Sequence, residues 1–176
     1  MADSIKGKDY DLYKGDLRKG ILLHRKIDSY TDAHPLVQKS AHRLFKEYRH
    51  YNGVIVDIFY DHFLAKNWSE YCSINLAHYV QSFYDLLGQN LDRVPPNIRR
   101  MYPIMVAENW LYNYREVSGI EQILFQMNAR IKGDFNIHQS ITKLIEYYTA
   151  FESEFTNFFP DIQTHISQVK RKLKVQ

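Results

Sequence analysis

Apolar residues recur every three or four positions along almost the whole chain, while alternation bounded by turn residues is hard to find. This period predicts an all-α protein with helices over 15–32, 35–49, 51–67, 73–90, 97–114, 119–131 and 137–173, the last broken near Pro160. Pro35 suits a first helical turn after Thr31-Asp32-Ala33-His34, and Asn52-Gly53 and Val94-Pro95-Pro96 mark short connections. With seven Gly, five Pro, no repeat and no low-complexity stretch, residues 1–176 are expected to form one compact helical bundle.

Two of these helices carry ionisable residues where Leu or Ile would be usual. Leu17, Ile21, His24, Asp28 and Thr31 form one stripe, and Val54, Asp57, Ile58, Asp61, Ala65 and Trp68 form another. Both stripes are expected to be buried. A carboxylate taken out of water stays charged only when a cation or a set of hydrogen bonds compensates it, so the clustering suggests a bound metal. For any single His or Asp, a satisfied structural group remains the simpler reading.

Composition narrows the class of protein. Apolar residues make up 45% and charged residues 24%, and no apolar run approaches the roughly 18 to 20 residues that span a bilayer. The start of the chain has no hydrophobic core of a signal peptide, and Cys72 is the only cysteine, so a cytoplasmic protein without disulfides is expected. The net charge is only +3, yet residues 1–50 hold 11 Lys/Arg against 7 Asp/Glu. Lys6, Lys8, Lys14, Arg18, Lys19, Arg25 and Lys26 could steer an acidic partner, or simply form a solvated face. No nucleic-acid-binding module appears. Aromatic residues reach 15%, and Tyr147, Tyr148, Phe151, Phe155, Phe158 and Phe159 read as core.

Imidazole and carboxylate suit manganese, iron or zinc, and an oxygen-rich set favours an open site that activates water over a closed structural one. The remaining His residues, at 34, 42, 50, 78, 138 and 165, read as surface or core. Cys72 lies at an expected apolar helix start, and no nucleophile elbow or Gly-rich phosphate loop occurs.

His24-Arg25-Lys26-Ile27-Asp28 followed by Thr31-Asp32, then Asp57-x-x-x-Asp61-His62-Phe63-Leu64-Ala65-x-x-Trp68, resemble the acyl carrier protein phosphodiesterase family. Asn109-Trp110-Leu111-x-x-Tyr114-Arg115 and Phe151-Glu152-x-x-Phe155-x-x-Phe158-Phe159-Pro160 are similar to later parts of its pattern. The resemblance implies a helical hydrolase related to HD phosphohydrolases, dependent on a divalent metal, typically Mn2+. Such enzymes cleave the phosphodiester between 4′-phosphopantetheine and a serine of holo-acyl carrier protein, a small acidic partner.

By position, Ala2-Asp3 with Lys6-Gly7 resembles an early element of the family, and Asp3, His24, Asp28, Asp61 and His62 match its metal-site positions. Asp57, Asp61 and His62 are then the catalytic candidates. Arg25 is a further one, able to contact the phosphodiester or to stand as a solvated neighbour. Family sequences usually carry an upstream Asn-Phe-Leu-Ala-His segment that these 176 residues lack, which leaves open whether the metal site is complete. Two alternatives stand beside this reading: a metal phosphohydrolase acting on a nucleotide or other small phosphodiester, and an inactive helical module that binds an acidic protein.

Overall fold

Asn109 has φ +48°, a left-handed conformation that ends one helix and starts another where the periodicity predicts a single helix over 97–114. Asn tolerates this region better than most residues. The computed structural model describes residues 9–129 and 136–175, and among these every regular element is helical, with no strand. The helices are α1 (Gly15–Ala33), α2 (Pro35–Tyr48), α3 (Asn52–Lys66), α4 (Trp68–Tyr71), α5 (Leu76–Gly88), α6 (Pro96–Ala107), α7 (Trp110–Asn113), α8 (Val117–Asn128), α9 (Ser140–Glu146) and α10 (Tyr148–Val175).

The turn at Asn109 is pinned from several sides. Trp110 Nε1 and Gln126 Nε2 each donate to Glu108 Oε2 at 2.8 Å, and Asn113 Nδ2 donates to the Glu108 carbonyl, also at 2.8 Å. The last predicted helix is corrected in the other direction. Pro160 lies inside α10 without ending it, and the break falls at Tyr147, between α9 and α10. Proline removes one backbone donor, but Phe155, Phe158 and Ile162 are buried on both sides of it, and packing outweighs that local cost.

Contacts between α-carbons gather the chain into two compact units, residues 1–40 with 153–176, and residues 41–152. In the first, Ile21, Val37, Phe155, Phe158 and Ile162 are buried, and the Ser40 hydroxyl donates to the buried carboxylate of Glu154. Lys39 approaches the same carboxylate at 3.3 Å, so this interior charge is compensated.

The second unit is centred on α3. Ile55, Val56, Phe59 and Phe63 are buried with Ile120, Leu124, Ile137 and Leu144, and the rings of Phe59 and Phe151 meet edge to face at 5.2 Å. The expected burial of the stripes is corrected here. Val54 is 41% exposed and Asp57 and Asp61 reach solvent, as does Leu17 at 37% on α1. Because α3 is apolar around most of its circumference, the face bearing Ile55, Phe59 and Phe63 goes inward and the carboxylates are left outside the core.

Candidate active site

Within α3, residues at i and i+4 stand one above the other, which aligns Asp57 with Asp61 on an accessible line and His62 with Lys66 on the next. Asp61 is exposed as a residue and borders a small cavity of about 130 Å³, walled by Leu64, Trp68, Leu76, Tyr79 and Tyr114 among others. Atoms crowd the carboxyl although part of its surface is open. Desolvation first, and the negative charge of Asp57 second, push the Asp61 pKa up to about 7. Burial, with the charge of Asp61 and then Tyr84, likewise raises the phenol of Tyr114 across the same cavity.

His62 is 1% exposed. Its Nδ1 lies 2.8 Å from the Tyr114 carbonyl, and because a carbonyl only accepts, Nδ1 carries the hydrogen. Nε2 therefore holds the lone pair and accepts from the Tyr148 hydroxyl at 2.8 Å. Burial lowers the His62 pKa, partly opposed by the hydrogen bond to Tyr114, which keeps the ring neutral. A histidine anchored through one nitrogen to a backbone carbonyl presents the other in a fixed direction, the arrangement common to metal ligands and general bases.

Two cations stand beside this histidine. Lys66 Nζ lies 2.8 Å from Glu152 Oε1 and 4.7 Å from the centre of the Tyr148 ring. Burial lowers its pKa, but the bonds to Glu152 and Tyr148 outweigh that and raise it, so Lys66 is charged at neutral pH. Arg115 lies over the Tyr112 ring at 4.3 Å and 3.6 Å from Glu116 Oε1.

The other motif lies on α1, in the first unit. His24 Nδ1 and Asp28 Oδ2 are 2.8 Å apart, with side chains 42% and 47% exposed. Arg25, one residue on, stands 5.0 Å from the Tyr10 ring. Asp3 lies outside the described residues, as does the whole Ala2 to Gly7 element. Within neither unit do three His, Cys, Asp or Glu side chains among the described residues gather into a cation cage. Two pairs are therefore formed, His24 with Asp28 and Asp57 with Asp61.

Sequence reasoning missed Lys66, Arg115, Tyr148 and Glu152 as neighbours of the site. Lys66 was visible in principle, four residues after His62 on one helix. The aromatic spacing reads Tyr148 as core with its neighbours, and only the packing of α10 turns its hydroxyl to His62. Cys72 sits half-buried in the turn between α4 and α5 rather than at a helix start.

A family model described as acyl carrier protein phosphodiesterase matches residues 1–162. Relatives named acyl carrier protein phosphodiesterase include one from Photorhabdus laumondii, 28% identical, covering 91% of this chain and 81% of the relative. Another, from Enterobacter sp. strain 638, is 29% identical over 91% of this chain and 83% of its own. A third, from Escherichia coli O157:H7, is 27% identical over 96% and 88%. No solved structure matches the chain.

Proposed function

The chain belongs to the acyl carrier protein phosphodiesterase family, and from that premise we propose that it hydrolyses the phosphodiester joining 4′-phosphopantetheine to a serine of holo-acyl carrier protein. In this reaction the oxygen of water bonds to phosphorus, the bond from phosphorus to the serine oxygen breaks, and one proton of the water ends on the serine hydroxyl. The products are apo-protein and 4′-phosphopantetheine. The observation that carries the reading is the family match over residues 1–162, joined to an accessible carboxylate pair on α3 beside a neutral, oriented histidine.

We assign a divalent cation, Mn2+, to the Asp61 and His62 positions of α3, while Asp3, His24 and Asp28 keep a metal-ligand assignment that rests on the family motif alone. Those within the described residues offer only nitrogen and oxygen donors, which suits that ion. The chemistry of the Asp61 carboxyl agrees with this, since its raised pKa records an uncompensated charge that a cation would neutralise. When bound, such a cation supplies Lewis acidity toward the phosphoryl oxygens and their water. Asp57 accepts a proton from the attacking water and His62 is held in its neutral tautomer by Tyr114; for Arg25 the family motif alone suggests a phosphate-binding role, for which its planar fork is suited.

The test is a mass-resolved assay of holo-carrier protein with Mn2+ added. Loss of the phosphopantetheine mass from the carrier and appearance of the free phosphomonoester support the proposal. Hydrolysis of an aryl phosphodiester with no action on the holo-carrier favours the small-substrate alternative and overturns it.

A further inference from the structure

A second, larger concavity opens beside His62. A cavity of about 390 Å³ runs along the end of α3, α4 and the turn into α5, within the roughly 300–1,000 Å³ typical of small-ligand sites. Among the described residues its charged lining groups are Lys66 and Arg115, with no carboxylate beside them. These same two residues, and no others, also line the adjoining cavity of about 290 Å³ that contains His62 and Tyr148. The cations thus stand at the junction. Beyond them the wall turns neutral and mixed, with Trp68, Ser69, Asn75 and Tyr112.

This wall is fixed before any ligand arrives. Trp68 Nε1 donates to the Ile74 carbonyl at 2.7 Å, and Asn75 Oδ1 caps α5 by accepting from the Ala77 backbone at 2.8 Å. Glu152 orients Lys66 without itself lining either cavity, and Glu116, which does line the smaller one, is 58% exposed and only loosely held by Arg115. A ligand matched to these walls has a doubly coordinated anion at one end and a neutral chain carrying both amides and apolar groups at the other.

We propose that Lys66 and Arg115 bind the phosphoryl group beside His62 and that the adjoining cavity receives the pantetheine arm of the substrate. The proposal rests on the reaction proposed above for its choice of ligand. It makes Lys66 and Arg115 substrate-binding residues, and the turn at 72–75 a determinant of specificity. Guanidinium and ammonium donors to a phosphate are charge-assisted, so losing either weakens the ligand about tenfold or more.

The test measures binding by calorimetry on the full chain in EDTA, with 4′-phosphopantetheine, pantetheine and inorganic phosphate as probes. The expected result is that 4′-phosphopantetheine binds more tightly than either fragment. Lys66→Gln and Arg115→Gln should each cost about tenfold for the phosphorylated probe and little for pantetheine. Ser69→Trp, which fills the neutral end, should abolish the pantetheine contribution and leave phosphate binding unchanged. Circular dichroism of each variant confirms the fold, and Lys66→Arg should restore the phosphate contribution.

Equal affinity of all three probes would overturn the proposal, as would wild-type binding of 4′-phosphopantetheine by folded Arg115→Gln and Ser69→Trp. Failure of the hydrolysis reading looks different. A chain that binds 4′-phosphopantetheine as described but never releases it from holo-carrier protein keeps the subsite and loses the reaction. Unimpaired hydrolysis by Ser69→Trp keeps the reaction and loses the subsite.

Discussion

Gly119, in the first turn of α8, is the position where one methyl group should reach the site through the backbone. A Cβ there would fall inside the envelope of the Asn113 carbonyl oxygen and 2.7 Å from its carbonyl carbon, roughly 0.7 Å short of ordinary van der Waals contact. That oxygen accepts from the Glu116 backbone at 3.0 Å, and the next carbonyl, of Tyr114, holds His62. The obstacle is main chain and cannot rotate away. Overpacking costs about 1–3 kcal/mol, against a helix-propensity gain of at most about 1 kcal/mol for Ala over Gly.

Gly119→Ala should therefore destabilise the protein by about 1–2 kcal/mol and lower the melting temperature by about 2–8 °C. Turnover should fall as well, because moving residues 113–114 shifts the anchor of the imidazole. Gly20, inside α1 with nothing within 4 Å of a built Cβ, is the internal control. Gly20→Ala should stabilise by about 0.5–1 kcal/mol. Thermal and urea unfolding followed by circular dichroism measure both. A Gly119→Ala variant as stable and as active as the parent would refute the argument, and equal shifts of one sign in both variants would show that propensity alone is at work.

Asp61→Ala should abolish hydrolysis of holo-carrier protein while leaving the helical spectrum intact, because the carboxyl is not needed for packing; the mass-resolved assay checks this, and undiminished release would remove Asp61 from the chemistry. Phe63, fully buried on the inner face of α3, should cost about 3–5 kcal/mol when replaced by Ala, measured by urea unfolding, and a loss under 1 kcal/mol would contradict the assigned core. Association with holo-carrier protein should slow as salt rises to 0.15 M, where charges more than about 8 Å apart are screened, and Lys19→Glu, Arg25→Glu or Lys26→Glu should slow it further with little change in dissociation. Salt-independent association rates in stopped-flow measurements would leave recognition to another surface.

The period of apolar residues was sufficient, without tertiary information, for the all-α class and for helices near α1, α2, α3, α5 and α8, since one buried stripe repeats every three to four residues whatever it packs against. Motif spacing likewise placed His24 with Asp28, and Asp57 with Asp61, one helical turn apart, because that geometry is local. Which side of α3 faces inward was not local. With apolar residues nearly all round, only its neighbours decide that Phe59 and Phe63 enter the core and Asp57 and Asp61 meet solvent. The same holds for the break at Asn109, where Glu108 is satisfied by Trp110 and Gln126 from other turns, and for α10, whose packing carries the helix through Pro160. The tautomer of His62 is the clearest case: its two partners lie 52 and 86 residues away, and no periodicity can place a carbonyl and a hydroxyl on opposite sides of one ring.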